Sequence, residues 1–545
     1  MDSIEARNQG TLRVGRVVAV SASQVMVLLE RAYLAAQLQE GAPLEMGSLV
    51  KIKTRVSTVY AMVSSMRLPL PTQTPSADDL KIVELELLGE TIRETEEDSD
   101  IFRRGVSVFP ALDDPVYIAS ADDLRNVYAP PKVATVPIGT IHQDSGVPAY
   151  LLTDDLLGKH FSIVGTTGSG KSCAVATILR GVIEHNPDAH VILIDPHDEY
   201  RSAFGDESVS LSPGRGLHLP YWLFNFEEIS EMVLGKVDHR AEQMKIFGDA
   251  IIASKQAFLS KVGLDKHGTV DTPAPYRMSD LLRYLDNAMG SLNRPEAVGD
   301  YLAVKSRILA LQNDIRYEFV FGASLSMRDE MTDILSQMFR IPVEDKPITI
   351  LDISGIPSDV LNVVVSVLCR LAFDFSMWSE DPVPVTIVCE EAHRYAPRDQ
   401  ELGFEPAKRA LSRIAKEGRK YGVSMCVVSQ RPSDLAPGLL SECNTMFALR
   451  MTNHDDQDIV RSAIPEASHG LMSFLPALRN GEAIAVGEGV SMPMRICFAP
   501  LPIERRPTSA SASFSKAWAK GKDTGGRSKI EQTVERWRRG IRYAA

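Results

Sequence analysis

What the 545-residue sequence lacks narrows it first. It has no excess of positive charge: 59 Lys and Arg against 71 Asp and Glu give a net charge of −12. That excludes a protein that coats nucleic acid with its whole surface, because a phosphate backbone demands local positive charge. It is poor in cysteine, and the six present (Cys173, Cys369, Cys389, Cys426, Cys443, Cys497) form no C-x-x-C pair. Most lie in apolar runs, so buried thiols in a reducing cytosol are expected, not disulfides or a zinc site. The opening Met1-Asp2-Ser3-Ile4-Glu5-Ala6-Arg7 has no basic segment leading into an apolar one, so no secretory signal is expected. The nearest approach to a membrane span, Val360 to Trp378, carries Asn362, Arg370 and Asp374 and reads as a buried helix. A cytoplasmic protein without a membrane partner is the expectation. With 44% hydrophobic and 24% charged residues, wholesale disorder is excluded as well.

The charge is unevenly spread. Residues 505–545 hold 11 Lys and Arg and 3 Asp and Glu, a net of +8, which leaves −20 for residues 1–504. Within this tail, Ile530 to Tyr543 has the pattern of a basic helix carrying Trp537. Residues 1–135 contain short β-branched runs (Val14 to Val20, Gln24 to Leu29, Ser48 to Ile52, Val59 to Val63) and predict a small antiparallel barrel. A polar loop is expected at Pro69 to Asp79, and a solvated acidic loop at Glu94 to Asp100. From 136 to 500, apolar strands alternate with longer helical segments. The strands are His160 to Val164, His190 to Ile194, Ile348 to Ile353, Val385 to Cys389 and Val423 to Val428. That alternation predicts an α/β domain with a parallel sheet covered on both faces. It divides into a first part at 136–225 and a second at 336–500, with a helical insertion over 226–335 and a basic extension over 501–545.

One motif is complete. Gly165-Thr166-Thr167-Gly168-Ser169-Gly170-Lys171-Ser172 fits G-x-x-x-x-G-K-[ST], follows an apolar strand and opens a helical run beginning at Cys173. Its glycines let successive backbone N–H groups turn towards phosphate oxygens, and the helix after it points its positive end at them. Lys171 is expected to reach the β- and γ-phosphates of ATP, and Ser172 to ligate Mg²⁺. The second signal is the strand Val385 to Cys389 ending in Glu390 and Glu391. Strands often end in acids, but downstream of an intact phosphate loop the pair reads as Glu390 for Mg²⁺ and Glu391 for activation of the attacking water. His393 reads either as a packing histidine or as a group orienting Glu391. At the tip of the next strand, Gln430 is an amide suited to sense a γ-phosphate, since it can donate to phosphate and accept from water. The basic run Lys408 to Lys420 reads either as a solvated face or as the source of an arginine that reaches a neighbouring subunit's nucleotide; Arg419 is the first choice and Arg413 the second.

Several stretches together resemble the HerA family of hexameric DNA translocases, within the HerA–FtsK group of RecA-like ATPases. They are Leu156 to Val164 with the phosphate loop, Ile194-Asp195-Pro196-His197-Asp198-Glu199-Tyr200, Leu219 to Trp222, Glu390 to His393, Glu417 to Gly422, Ser429 to Pro432 and Asn480 to Ala483. The resemblance covers about residues 10 to 500. It implies an N-terminal barrel of the HAS type, named for HerA and ATP synthases, a RecA-like core with a helical insertion, and a C-terminal extension bracing the neighbouring nucleotide site. It further implies a homo-hexameric ring around double-stranded DNA, working with a NurA-like nuclease or, in anti-phage defence, a sirtuin-like or nuclease subunit. Asp198 departs from the family pattern, which commonly has Gly there, and the basic tail is not family-typical.

The resulting expectation is an ATP-driven DNA translocase or helicase. Arg398, Lys408 and Arg409, in and beside a segment from Pro397 to Ala407, are the candidate DNA contacts. The rival is a ring that serves mainly as scaffold and activator of an effector. A protein-unfolding motor would need aromatics to grip its substrate, and the segment offers Phe404 alone.

Overall fold

The structure, a computed structural model, describes residues 13–22, 24–37, 44–68, 80–92, 102–235, 240–264, 266–291, 295–322, 329–354, 356, 358–399, 403–465, 469–508, 515, 518 and 526–539. The loop expected at Pro69 to Asp79 lies outside the described residues, as does the acidic run Glu94 to Asp100. The chain forms two compact units. One comprises Met1–His185, Val427–Ser433 and Leu440–Leu501, the other Asn186–Cys426, Asp434–Leu439 and Pro502–Ala545.

The first unit begins with a closed antiparallel barrel. Its strands follow the order Gln24–Leu29, Arg13–Val20, Pro115–Ile118, Leu49–Lys53, Ser57–Arg67 and Ile82–Ile92, and the last pairs back onto the first. Alternation explains the closure. Along Gln24–Leu29, Val25 and Val27 are buried, while Gln24 is exposed and Met26 and Leu28 are half-buried. The inward set (Val14, Val25, Val27, Ile52, Val59, Val83) fills the bore. The strand Phe102–Arg104 lies outside, on Ile82–Ile92.

The same unit holds a six-stranded array. His160–Val164 pairs in parallel with Cys443–Leu449. Beyond it, Glu482–Gly487, Met494–Phe498, Thr135–Ile141 and Pro148–Leu152 are all antiparallel. The expected strand His160–Val164 is parallel to its neighbour, and the four strands beyond it add an antiparallel part that the sequence did not announce. The links 488–493 and 142–147 are hairpin-sized, too short for the crossover that parallel neighbours require.

In the second unit the pairing is parallel throughout the strands Gly216–Leu217, Ser208–Pro213, Ile348–Asp352, Val191–Asp195 and Val385–Cys389, in that order. Every residue of the last three strands is buried, as their unbroken apolar runs require of a sheet covered on both faces. Between Ser208–Pro213 and Ile348–Asp352 comes a helical segment with Phe226–Leu234, Arg240–Lys261, Met278–Ser291, Pro295–Gln312 and Met331–Phe339. Its first helix is tied to Ser358–Trp378. Buried Glu228 accepts from Arg370 Nε at 3.0 Å, Ser366 Oγ at 3.0 Å and the backbone N–H of Asn225 at 3.0 Å. The window Val360–Trp378 is apolar and long enough to cross a membrane by length and composition, but 72% of it is buried inside the protein.

The chain end returns to this unit. Thr508 N–H donates to the Glu199 carbonyl at 2.8 Å, Ser202 Oγ to the Arg506 carbonyl at 2.7 Å, and Arg505 pairs with Glu207 at 2.7 Å. The tail helix spans Gly526–Arg539, one turn earlier than the expected start, with Arg527 and Glu531 paired across that turn at 3.1 Å.

Candidate active site

In the first unit the phosphate loop runs from the buried strand His160–Val164 to the helix Lys171–His185. Two glycines carry it. Gly168 has φ +75° and Gly170 φ +105°, the left-handed side that other residues enter only with strain. A Cβ on Gly170 would also stand 3.2 Å from the backbone nitrogen of Gly481. The loop is held from behind: Thr166 N–H and Oγ1 both donate to the Arg450 carbonyl at 3.0 Å, and Gly481 N–H donates to the Ser169 carbonyl at 3.1 Å. Thr167 and Gly168 are exposed at its tip. Lys171 Nζ donates to the Thr166 carbonyl at 3.1 Å, folded over the loop it is expected to serve. Ser172 stands half-buried beside it and Cys173 is exposed. The Thr167 hydroxyl donates to the side-chain oxygen of Gln430, so the sensor amide is joined to the phosphate loop. The buried Ser169 hydroxyl has no hydrogen-bond partner among the described residues.

The second unit holds the acids. Glu390 and Glu391 are both buried just beyond Val385–Cys389. The hydroxyl of Tyr200, itself fully buried, donates to Glu390 Oε1. Burial and the Glu390 charge push the Tyr200 phenol well above its ordinary range, so it stays a donor. Glu391 has φ +52°, a strained backbone for a side chain of its size. Its carboxylate lies between two imidazoles, His393 Nδ1 at 3.4 Å from Oε2 and His197 Nε2 at 3.9 Å from Oε1. Beside them, Asp195 is pushed up to about 6 by burial, against three backbone N–H donors that hold it down. Asp352 is its register partner on the next strand.

The basic segment is a helix, Glu405–Glu417, continuing into the 3₁₀ turn Gly418–Tyr421. Its arginines are not equivalent. Arg413 stacks 4.1 Å over Phe373 and pairs with Asp374 at 3.3 Å, so it is engaged inside its own chain. Arg409 pairs with Glu227 at 2.6 Å, and Lys408 Nζ donates to the Asp399 carbonyl at 3.0 Å. Arg398 and Arg419 are exposed, and their side chains make no hydrogen bond or ion pair to the described residues. Phe404 is buried, so it is no gripping aromatic.

Sequence reasoning gave no role to Tyr200, His197, Asp195 or Asp352. The first three sit in the stretch Ile194 to Tyr200, where the signal was visible as a motif but not as a set of contacts. A further cluster, His142, Glu482 and Cys497, brings three ligand-type atoms within 4.8 Å of one another. Glu482 there accepts from Arg495 at 2.8 Å and from the Arg479 N–H at 2.9 Å, and both arginine charges oppose a cation.

Residues 136–372 match the family described as "Helicase HerA, central domain". Over 420 residues the chain is 27% identical to the DNA double-strand break repair helicase HerA of Pyrococcus furiosus, covering 69% of this chain and 71% of that protein. It is 23% identical over 422 residues to the protein of the same name from Sulfolobus acidocaldarius, covering 76% of this chain and 78% of that one. Among solved structures, VirB4 of Thermoanaerobacter pseudethanolicus aligns with a TM-score of 0.49 at 16% identity, covering 69% of this chain and 99% of that one. The family match spans the whole phosphate loop and the Asp195 turn, and the relatives extend the similarity over most of the sequence: this chain is a P-loop ATPase similar to the HerA helicases.

Proposed function

We propose that the protein couples ATP hydrolysis to movement along double-stranded DNA, as a ring of six copies working with a nuclease or another effector. The phosphate loop from Gly165 to Ser172, continuing into Cys173, binds the nucleotide, with Lys171 on its terminal phosphates. Ser172 and Glu390 fit Mg²⁺, a hard cation that takes oxygen ligands. When bound, the ion neutralises charge on the terminal phosphates. Glu391 orients and deprotonates the attacking water, and Gln430 reports whether the γ-phosphate is still attached. Arg419 completes the site of the neighbouring copy. DNA as the track is supported by the names of the relatives, which are DNA repair helicases.

The observation that carries the ring is the contrast between Arg413 and Arg419. Arg413 is held by Phe373 and Asp374 of its own chain, while Arg419 is exposed on the turn Gly418–Tyr421 without a partner among the described residues. An arginine supplied in trans is worth about 10³ to 10⁵ in rate. Mixing tests it. Lys171→Ala and Arg419→Ala proteins are each inactive alone, and mixed rings regain activity because some interfaces carry both native residues. No regain in mixed, co-assembled rings rejects the assignment, as does an Arg419→Ala protein that keeps its full rate.

The barrel exposes Val18, Val20, Phe109 and Leu112, which favours a second reading: the ring as a scaffold that docks and activates an effector. ATPase rates with and without duplex DNA separate the two. Stimulation by duplex supports the motor. Effector assembly and activation that survive Lys171→Ala support the scaffold.

A further inference from the structure

We infer that the turn from Asp195 to Tyr200 is the positioning element of both acids, with Tyr200 setting the carboxylate of Glu390 and His197 that of Glu391. The inference rests on the roles proposed above for those acids. Sheet register brings the two segments together. Val191–Asp195 pairs in parallel with Val385–Cys389, with Ile194 opposite Cys389, so the chain emerges from both strands side by side. One strand leads into the turn, and its neighbour leads into the acid pair.

The turn is rigid for a local reason. Asp195 Oδ1 accepts from the His197 N–H at 3.0 Å, and Oδ2 accepts from the N–H groups of Glu199 at 2.8 Å and Tyr200 at 3.0 Å. One carboxylate thereby fixes the backbone of the two residues that touch the acids. Asp198 bridges them with φ +54°, the left-handed geometry that lets the chain reverse, and that Asp tolerates better than most side chains.

Two contacts leave this frame. Tyr200 is fully buried and stacked on Phe204 (ring centroids 6.4 Å apart, 18° between planes), so its hydroxyl cannot swing, and it donates to Glu390 Oε1. His197 Nε2 stands 3.9 Å from Glu391 Oε1, and His393 Nδ1 3.4 Å from Oε2, so the carboxylate is bracketed from both sides. Among the described residues Glu391 Oε2 is buried without a hydrogen-bond donor of good geometry, which leaves it able to accept from a water. A metal-binding or catalytic carboxylate held by a fixed neighbour loses less freedom when its ligand arrives, and removing such a neighbour typically costs about 10- to 100-fold. Tyr200 and His197 are positioning residues: they act through the acids.

The test uses the full-length protein and four readouts: kcat, KM for ATP, the Mg²⁺ concentration giving half-saturation of nucleotide binding, and the thermal midpoint. Tyr200→Phe keeps the ring and removes only the hydroxyl. It is expected to raise the half-saturating Mg²⁺ about tenfold while leaving binding of a fluorescent ATP analogue in EDTA unchanged. His197→Ala is expected to lower kcat about tenfold with KM within about twofold, and His197→Gln, which restores a donor at similar reach, to recover most of it. The inference is overturned if Tyr200→Phe leaves the Mg²⁺ requirement within about twofold and His197→Ala keeps its kcat. It is equally overturned if the losses appear in metal-free binding and the thermal midpoint alike, since that is the signature of a structural role. Glu390→Gln and Glu391→Gln run alongside. If these retain hydrolysis, the assignment of the acids has failed, whereas their inactivity beside an indifferent turn rejects the turn alone.

Discussion

Thr167 and Gln430 are joined by a hydrogen bond in which the threonine hydroxyl donates to the amide oxygen of the glutamine. With its oxygen engaged, the amide can present only its N–H₂ group to a ligand on the loop. A sensor built this way donates to the γ-phosphate and has no oxygen free to repel it. Gln430 comes directly after the strand Val423–Ser429, whose Ser429 carbonyl also accepts from the Gly165 N–H at 3.3 Å, so a change at the loop reaches the strand through two bonds. Gln430→Ala removes a donor to a group whose charge shifts during the reaction. It is expected to lower kcat about 100-fold while nucleotide affinity changes only a few-fold. Thr167→Val frees the amide to rotate and is expected to give a smaller loss, about tenfold or less, of the same kind. Steady-state ATPase rates, set beside binding of a fluorescent nucleotide, check both.

Asp195 makes stability depend on pH in an unusual direction. Its carboxyl sits at about 6 in the folded chain against an ordinary 3.8, because burial outweighs its three backbone donors. The folded state therefore binds more protons than the unfolded state between these values, and stability falls as pH rises through that window. Above it, the ionised and desolvated carboxylate costs on the order of 3 kcal/mol. Asp195→Asn removes the titration and keeps one oxygen as an acceptor for the turn. The stability difference between native protein and variant is expected to change between about pH 4 and pH 6 and to be flat above. Denaturant midpoints across that range measure it, and parallel curves would contradict it.

Legibility in the sequence tracked the range of the interaction. The phosphate loop, the acid-tipped strand and the barrel strands are spelled by neighbouring residues, because the glycines at 168 and 170 and the alternation along 24–28 are local requirements. The fate of the arginines was not local. Arg413 and Arg419 lie on one basic run, and only the packing of Ser358–Trp378 against that helix, through Phe373 and Asp374, engages the first and leaves the second. The antiparallel half of the first unit was hidden for a similar reason. Thr135–Ile141 finds its partner in Met494–Phe498, at the far end of the chain, and no local pattern records that pairing. The departure at Asp198 became interpretable once its φ was known. A left-handed position explains why the family commonly has Gly there, and Asp is among the few side chains that fit it.

Arg398 separates from its basic neighbours in the same way, and this gives a prediction about DNA. Arg409 pairs with Glu227 and Glu405, and Lys408 donates to the Asp399 carbonyl, so both have partners in their own chain. Arg398 is exposed, while its backbone is anchored by an N–H donated to the Asp434 carbonyl at 2.7 Å. A charged side chain on a fixed backbone is suited to contact a phosphate without the cost of ordering a loop. Arg398→Ala is expected to weaken duplex binding similarly across sequences and to reduce the slope of log affinity against log salt by about 1, with ATP binding unchanged. Arg409→Ala is expected to do less, since its charge is already neutralised by two carboxylates. Fluorescence anisotropy with a labelled duplex over a salt series measures both slopes. An unchanged slope for Arg398→Ala, or a larger loss for Arg409→Ala, would show that the DNA path runs elsewhere on the protein.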